Sequence, residues 1–166
     1  MTEIRFDGQV AVVTGAGGGL GRSYAIELAR RGAYVVVNDF GGNADGTGGS
    51  KLVATRTVDE ITAEGGVAVA SHESVATPEG GGAIVRTALD AFGRVDIAIN
   101  NAGIRRDRMF HKLGIDDLRA VLDVHLLGAF HVSQPAFRVM RENGYGRFLF
   151  TSSSSGLFGN IGQTNY

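Results

Sequence analysis

The 166-residue chain has no cysteine, which excludes disulfides, thiolate catalysis and cysteine-ligated metals together. It also lacks an excess of charge: 16 basic and 17 acidic residues are intermixed, for a net charge of −1. No field therefore exists to draw nucleic acid or an anionic membrane, and neither is expected as a partner. No apolar run approaches the ~20 residues of a membrane span, and the first residues, M-T-E-I-R-F-D-G, contain no apolar signal region. Of the four histidines, His72, His111 and His131 have no metal-like spacing, so no metal is expected. What the chain has in quantity is glycine, 26 residues without a repeat period, alternating with periodic apolar segments. Neither collagen nor disorder fits that pattern, and with 43% hydrophobic content the length suits one α/β domain. A cytoplasmic location is expected, with a C-terminal address invisible if the chain is cut.

The chain is organised around V-A-V-V-T-G-A-G-G-G-L-G-R, Val10 to Arg22. A β-branched apolar run reads as a buried strand, Gln9–Thr14, and passes into five glycines between Gly15 and Gly21 before a helix over Leu20–Arg31. Without Cβ atoms in the way, backbone N–H groups at a helix start face a phosphate directly, and the helix dipole favours the anion. A second strand, Ala33–Asn38, closes at Asp39 and completes a βαβ unit, which forces the two strands parallel.

Beyond it, Gly41 to Ser50 reads either as a mobile linker or as a loop beside a nucleotide, since it follows Asp39. A helix over Lys51–Glu64, a strand Val67–Ser71 and a helix entered through Thr77-Pro78 come next. Gly80 to Gly82 weaken the first turn of the latter, leaving Ala83–Phe92 as its firm part. Strand Val95–Ile99 leads to Asn100-Asn101-Ala102-Gly103. One long helix then covers Ile115–Glu142, bent at Pro135, and Arg147–Ser152 is a fifth strand. This alternation predicts a doubly wound parallel sheet in three α/β/α layers. Asp39, Ser74, Asn101 and Ser153 all fall at the carboxyl ends of strands, where ligands of such sheets bind.

The spacing T-G-x-x-x-G-x-G at Thr14, Gly15, Gly19 and Gly21, the N-N-A-G at Asn100 and Ser153 thirteen residues before Tyr166 together resemble the short-chain dehydrogenase/reductase family over the whole chain. V-V-V-N-D-F-G-G, N-N-A-G-I-R-R-D-R, D-V-H-L-L-G-A-F and S-G-L-F-G-N-I-G-Q-T-N-Y look closer still to its (3R)-hydroxyacyl-CoA dehydrogenases, found in peroxisomal multifunctional enzymes and in stand-alone bacterial relatives. The resemblance implies a Rossmann-type domain that moves hydride between NAD and the alcohol of a 3-hydroxyacyl-CoA or a hydroxysteroid. It also implies a homodimer or homotetramer, and a peroxisomal location in a eukaryote. Two alternatives remain: an NADPH-dependent 3-oxoacyl carrier-protein reductase, and a nucleotide-binding module without catalysis.

By the same resemblance Gly15, Gly19, Leu20, Gly21, Ser74, Val75, Asn101, Ala102 and Gly103 bind the cofactor. Asp39, 18 positions past Gly21, accepts both ribose hydroxyls of NAD and repels the extra phosphate of NADP. Glu73 stands where the family has an aspartate. Asn101 has two readings, a ribose neighbour or a stitch between strands. Tyr166 is implied as the base for the hydroxyl proton and Ser153 as the hydrogen-bond partner of the substrate oxygen. His125 replaces the family's usual helix asparagine, in a packing or an acid/base role. The lysine of the Y-x-x-x-K pattern would stand four residues beyond Tyr166, and without it the α-carboxylate of Tyr166 would raise the phenol pKa. The chain is accordingly expected to be part of a single domain of about 250 residues, lacking its last helices and strands.

Overall fold

The computed structural model describes residues 4–166; residues 1–3, the head of the N-terminal stretch read above, lie outside the described residues. Five strands, β1 (Val10–Thr14), β2 (Tyr34–Asn38), β3 (Val67–Ser71), β4 (Ile97–Asn100) and β5 (Arg147–Phe150), form one sheet in the order β3-β2-β1-β4-β5. Every neighbouring pair is parallel, with Val10 opposite Tyr34 and Ala11 opposite Ile97. The order reverses at β1, so the crevice beyond the carboxyl ends of β1 and β4 is the topological switch point.

Side chains alternate along β1 and β2, and both faces are covered. Ala11, Val13, Val35 and Val37 pack on one side with Ala25, Ile26 and Leu28 of α1 (Gly19–Arg30) and Ala54 and Ile61 of α2 (Leu52–Ala63). On the other side Val10, Val12 and Val36 meet Ile84, Val85 and Ala88 of α3 (Pro78–Phe92). Behind them lie Val132, Ala136 and Met140 of α5 (Gly128–Glu142). A strand buried on two faces has no polar face to display, which is why β1 reads as a continuous apolar run. At the opposite end of the sheet the fully buried Asp96 takes the Val10 N–H at 2.8 Å and both Nε and Nη2 of Arg94, tying the starts of β1 and β4.

Three expectations need correction. The helix over Ile115–Glu142 is not one α-helix bent at Pro135. It runs as α4 (Ile115–Leu122), then a π-helical stretch Asp123–Leu127, then α5, and Pro135 sits inside the regular α5. The extra residue of a π turn re-aims the side chains around His125, a local device that apolar periodicity does not reveal. Helix α3 begins in full at Pro78, with Thr77 Oγ1 accepting from Gly80 N. Its glycines mark close packing: a Cβ on Gly81 would come within 2.4 Å of the His131 backbone on α5. Strand β5 stops at Phe150, two residues early, and the serine run that follows starts a short helix, α6 (Ser154–Phe158), capped by Ser153.

Candidate functional site

Strand β1 ends at Thr14, whose buried hydroxyl accepts from the N–H groups of Asn101 and Ala102, each at 3.0 Å, and donates to Ile99 O. The Asn101 amide in turn donates to Thr14 O at 3.1 Å and Gly15 O at 3.2 Å. The glycine loop is therefore held from below by the N-N-A-G turn. Asn101 has all its amide donors engaged by protein, so the structure carries the strand-stitching reading of this residue. Gly15 adopts the left-handed φ of 64°. Gly21 is fixed by approach: a Cβ there would lie 2.2 Å from Gly15 O, a backbone atom, and 2.5 Å from the Asn101 amide.

Above this turn lies a cavity of about 730 Å³, bounded by Gly15, Gly18 and Gly19, by Asp39 and Phe40, and by Ser74 to Ala76. Asn101, Ala102, Gly103 and Ile104 complete that wall. Of the residues expected to bind a cofactor, Gly15, Gly19, Asp39, Ser74, Val75, Asn101, Ala102 and Gly103 line it. Gly21 lies buried beneath the loop, and Leu20 is exposed in the first turn of α1; neither lines the cavity. The Asp39 carboxylate accepts from Gly17 N at 2.9 Å and Gly41 N at 2.7 Å, one bond per oxygen, which leaves an acceptor lone pair on each. Gly18, the N-cap of α1, offers no side-chain cap, so the first amides of that helix are open to an anion. Arg22 points elsewhere, its guanidinium bidentate on Glu60 of α2.

The glycine-rich stretch Gly41–Ser50 is not a slack linker. Thr47 donates to Asp45 through its hydroxyl at 2.6 Å and its N–H at 2.9 Å, and Ala44 O accepts from Arg105 N. The Thr47 hydroxyl bond, with its backbone N–H adding, holds the Asp45 carboxyl below the usual carboxylate range. Glu73 lines the cavity, and its carbonyl accepts from the Asn38 side chain at 2.9 Å. His131 bonds Val75 O through Nδ1 at 2.9 Å and so steadies the same wall.

A second cavity of about 360 Å³ adjoins through Val75, Ala102 and Val124, which line both. Ser153, Asn165, Tyr166 and His125 meet there. The Ser153 oxygen accepts from Ser155 N at 3.2 Å, which leaves its O–H free to donate. The His125 ring stands edge-to-face on Tyr166 with centroids 4.9 Å apart, and its Nε2 lies within 3.0 Å of both N and O of Ile104. That contact needs Gly103, where a Cβ would come within 2.6 Å of the imidazole. Asn100, 9% exposed, donates to Ser133 Oγ, while its Oδ1 is a buried acceptor with no partner among the described residues. Sequence reasoning missed Asn100, Asn165 and Phe40 as lining residues. Asn100 had a signal, its place in the N-N-A-G turn, whereas Asn165 had none beyond adjacency to Tyr166.

The arrangement amounts to two joined cavities, one with a glycine floor and an acidic wall, the other with a hydroxyl, a phenol and an imidazole. Among the described residues no group of three or more His, Asp or Glu side chains could hold a metal, and no helix is long and apolar enough to cross a membrane. The family model described as short chain dehydrogenase matches residues 9–166. A short-chain type dehydrogenase/reductase of Mycobacterium tuberculosis is 55% identical over 158 residues, covering 95% of this chain and 55% of that protein. Peroxisomal multifunctional enzyme type 2 of Mus musculus is 52% identical over 163 residues, 98% of this chain and 22% of that protein. The chain thus spans about half of one relative and under a quarter of the other. Among solved structures, a 7α-hydroxysteroid dehydrogenase complexed with NADH and 7-oxo glycochenodeoxycholic acid superposes with a TM-score of 0.86 at 36% identity, over 98% of this chain and 60% of that one.

Proposed function

The chain belongs to the short-chain dehydrogenase family, whose members take a nicotinamide cofactor, NAD or NADP, and from that premise we propose that its protein is an NAD-dependent oxidoreductase acting on the alcohol of a (3R)-hydroxyacyl-CoA. Asp39 carries the choice of NAD. Its two free acceptor lone pairs suit a ribose diol, its charge repels a 2′-phosphate, and Arg22, the cation that could have met that phosphate, is tied to Glu60. The residues fit the group: the open amides at the start of α1 would take the pyrophosphate, and Val75, steadied by His131, would flank the adenine. Gly15 and Gly19 leave the backbone bare toward the dinucleotide, Ala102 adds only a methyl group, Leu20 stands in the first turn of α1 and Gly21 lets that turn approach Gly15. Bound NAD supplies the hydride acceptor.

The rest is the chain's own chemistry. Ser153 donates its free O–H to the substrate oxygen, and Tyr166, acting as its phenolate, takes the hydroxyl proton and becomes the phenol as hydride leaves the carbon. The acyl-thioester class rests on half-identity to the multifunctional enzyme and on the motifs quoted above; a hydroxysteroid is the second alcohol to try. The polar work here needs no nucleic acid and no membrane. A cytoplasmic site of action, or a peroxisomal one in a eukaryote, goes with this chemistry. Assembly as a homodimer or homotetramer is supported by Phe130 and Phe137, exposed one heptad apart on α5. The test is NADH formation from NAD and a (3R)-hydroxyacyl-CoA by the full-length protein. Turnover is expected with NAD; none with any such thioester would contradict the substrate class, and a preference for NADPH in the reverse direction would favour the carrier-protein reductase.

A further inference from the structure

Residues 104–108, I-R-R-D-R, follow the N-N-A-G turn and are bonded on both sides. Toward the larger cavity, Arg105 N donates to Ala44 O at 2.8 Å and Arg106 Nε to Asp45 O at 2.9 Å, while Ile104 packs against Gly46. Toward the smaller one, Arg108 N donates to Gly162 O at 2.7 Å, and the Gln163 amide reaches the Asp107 carboxylate at 3.3 Å. Arg108 and Gln163 form a parallel bridge. Arg106 is where the two sets join. Its carbonyl accepts from Nδ2 of Asn165 at 2.9 Å, one residue before Tyr166, and its Nη1 meets Asp117 of α4 at 3.2 Å. Asn165 is 5% exposed, and the Arg106–Asp117 pair is mostly covered, with side chains 26% and 28% exposed. One planar guanidinium thus spans the glycine-rich loop and α4, a reach that a single ammonium cannot reproduce.

We propose that Arg106 is a positioning residue that couples the loop over the nucleotide, Gly41–Ser50, to the placement of Tyr166, so that seating the adenosine half of the cofactor also sets the phenol. The proposal rests on the nucleotide reading above. It requires that loss of the Asn165 bond to Arg106 be felt on the adenosine side, where Asn165 makes no contact, because coupling between two sites is reciprocal.

The probe is ADP-ribose, which has the adenosine and pyrophosphate of NAD and no nicotinamide, titrated calorimetrically into the full-length protein. Asn165→Ala is expected to weaken ADP-ribose by about 3- to 10-fold, and Arg106→Ala by at least as much, with Arg106→Lys between Arg106→Ala and wild type. An unchanged ADP-ribose affinity in Asn165→Ala, with an unchanged melting temperature, would overturn the coupling and leave Arg106 a local brace. Hydrogen exchange on the unsubstituted protein gives the same answer without a variant. ADP-ribose is expected to slow the amide of Arg108, on the Tyr166 side, together with that of Arg105; a response confined to Arg105 overturns the proposal. A wild type that binds no ADP-ribose removes the nucleotide reading, and the proposal with it.

Discussion

The two cavities are built in different ways. The larger one draws its floor and walls from the ends of β1, β2 and β3 and from the N-N-A-G turn, with the core side chains of β1 and β2 at or near 0% exposure. Its polar groups are fixed by backbone: Thr14 and Asn101 lock the turn to the loop, and Gly17 and Gly41 lock Asp39. The smaller cavity draws on segments far apart in sequence, the turn after β4, the π-helical stretch, and the ends of β5 and α6. Several of its walls are open, with Phe150 57% exposed and Leu126 53% exposed. On the proposed reading a nucleotide half would rest on a packed platform, whereas a reaction half would be assembled from loops that the platform only partly supports. Outside the Asn165–Arg106 connection, binding and chemistry should accordingly fail separately.

Tyr166→Phe separates them most widely. Loss of the phenol is expected to lower kcat by about 10²- to 10⁴-fold, with the NAD dissociation constant within about 2-fold of wild type, as measured by steady-state rates and calorimetry. A large loss of NAD affinity would break the division between the cavities. Gly21→Val attacks the platform instead. Its added carbons meet the backbone at Gly15, and NAD affinity should fall by about 10- to 100-fold before any change in the smaller cavity. Asp39→Ser leaves the strands and the N-N-A-G turn in place and removes the acidic wall with its bonds to Gly17 and Gly41. NAD should weaken by about 10-fold and NADP should gain, a shift of about 1.4 kcal/mol each way, read from dissociation constants. The smallest effect is expected at the open wall. Phe150→Ser should change stability by less than about 0.5 kcal/mol by denaturant melts, whereas Ile84→Ala in the covered core should cost about 2–5 kcal/mol.

The same division governs what could be read from the amino-acid order. β1, the glycine loop, α1 and β2 follow one another within 30 residues, and each announces itself through local chemistry: β-branched runs, glycines, and an acid at a strand end. Strand β3 was legible to the residue, Val67–Ser71. The parallel sheet followed from the βαβ connection alone. The proposal of a reaction half rests on motif resemblance alone, because Ser153 and Tyr166, thirteen residues apart, meet in one cavity only through tertiary packing. The π-helical stretch at Asp123–Leu127 has no hydrophobic period of its own, and Pro135 drew attention to the wrong place on the same helix. The engagement of Asn101 by Gly15 O, and of Arg22 by Glu60, depends on partners 86 and 38 positions away. Such pairings decide which side chains remain available to a ligand, and no local pattern encodes them.

The most direct test of the account is the parallel titration of NAD and NADP into the unsubstituted protein. With Asp39 held by Gly17 and Gly41 and Arg22 held by Glu60, NAD should bind at least about 10-fold more tightly than NADP. Equal or tighter binding of NADP would contradict the assignment of the larger cavity to NAD.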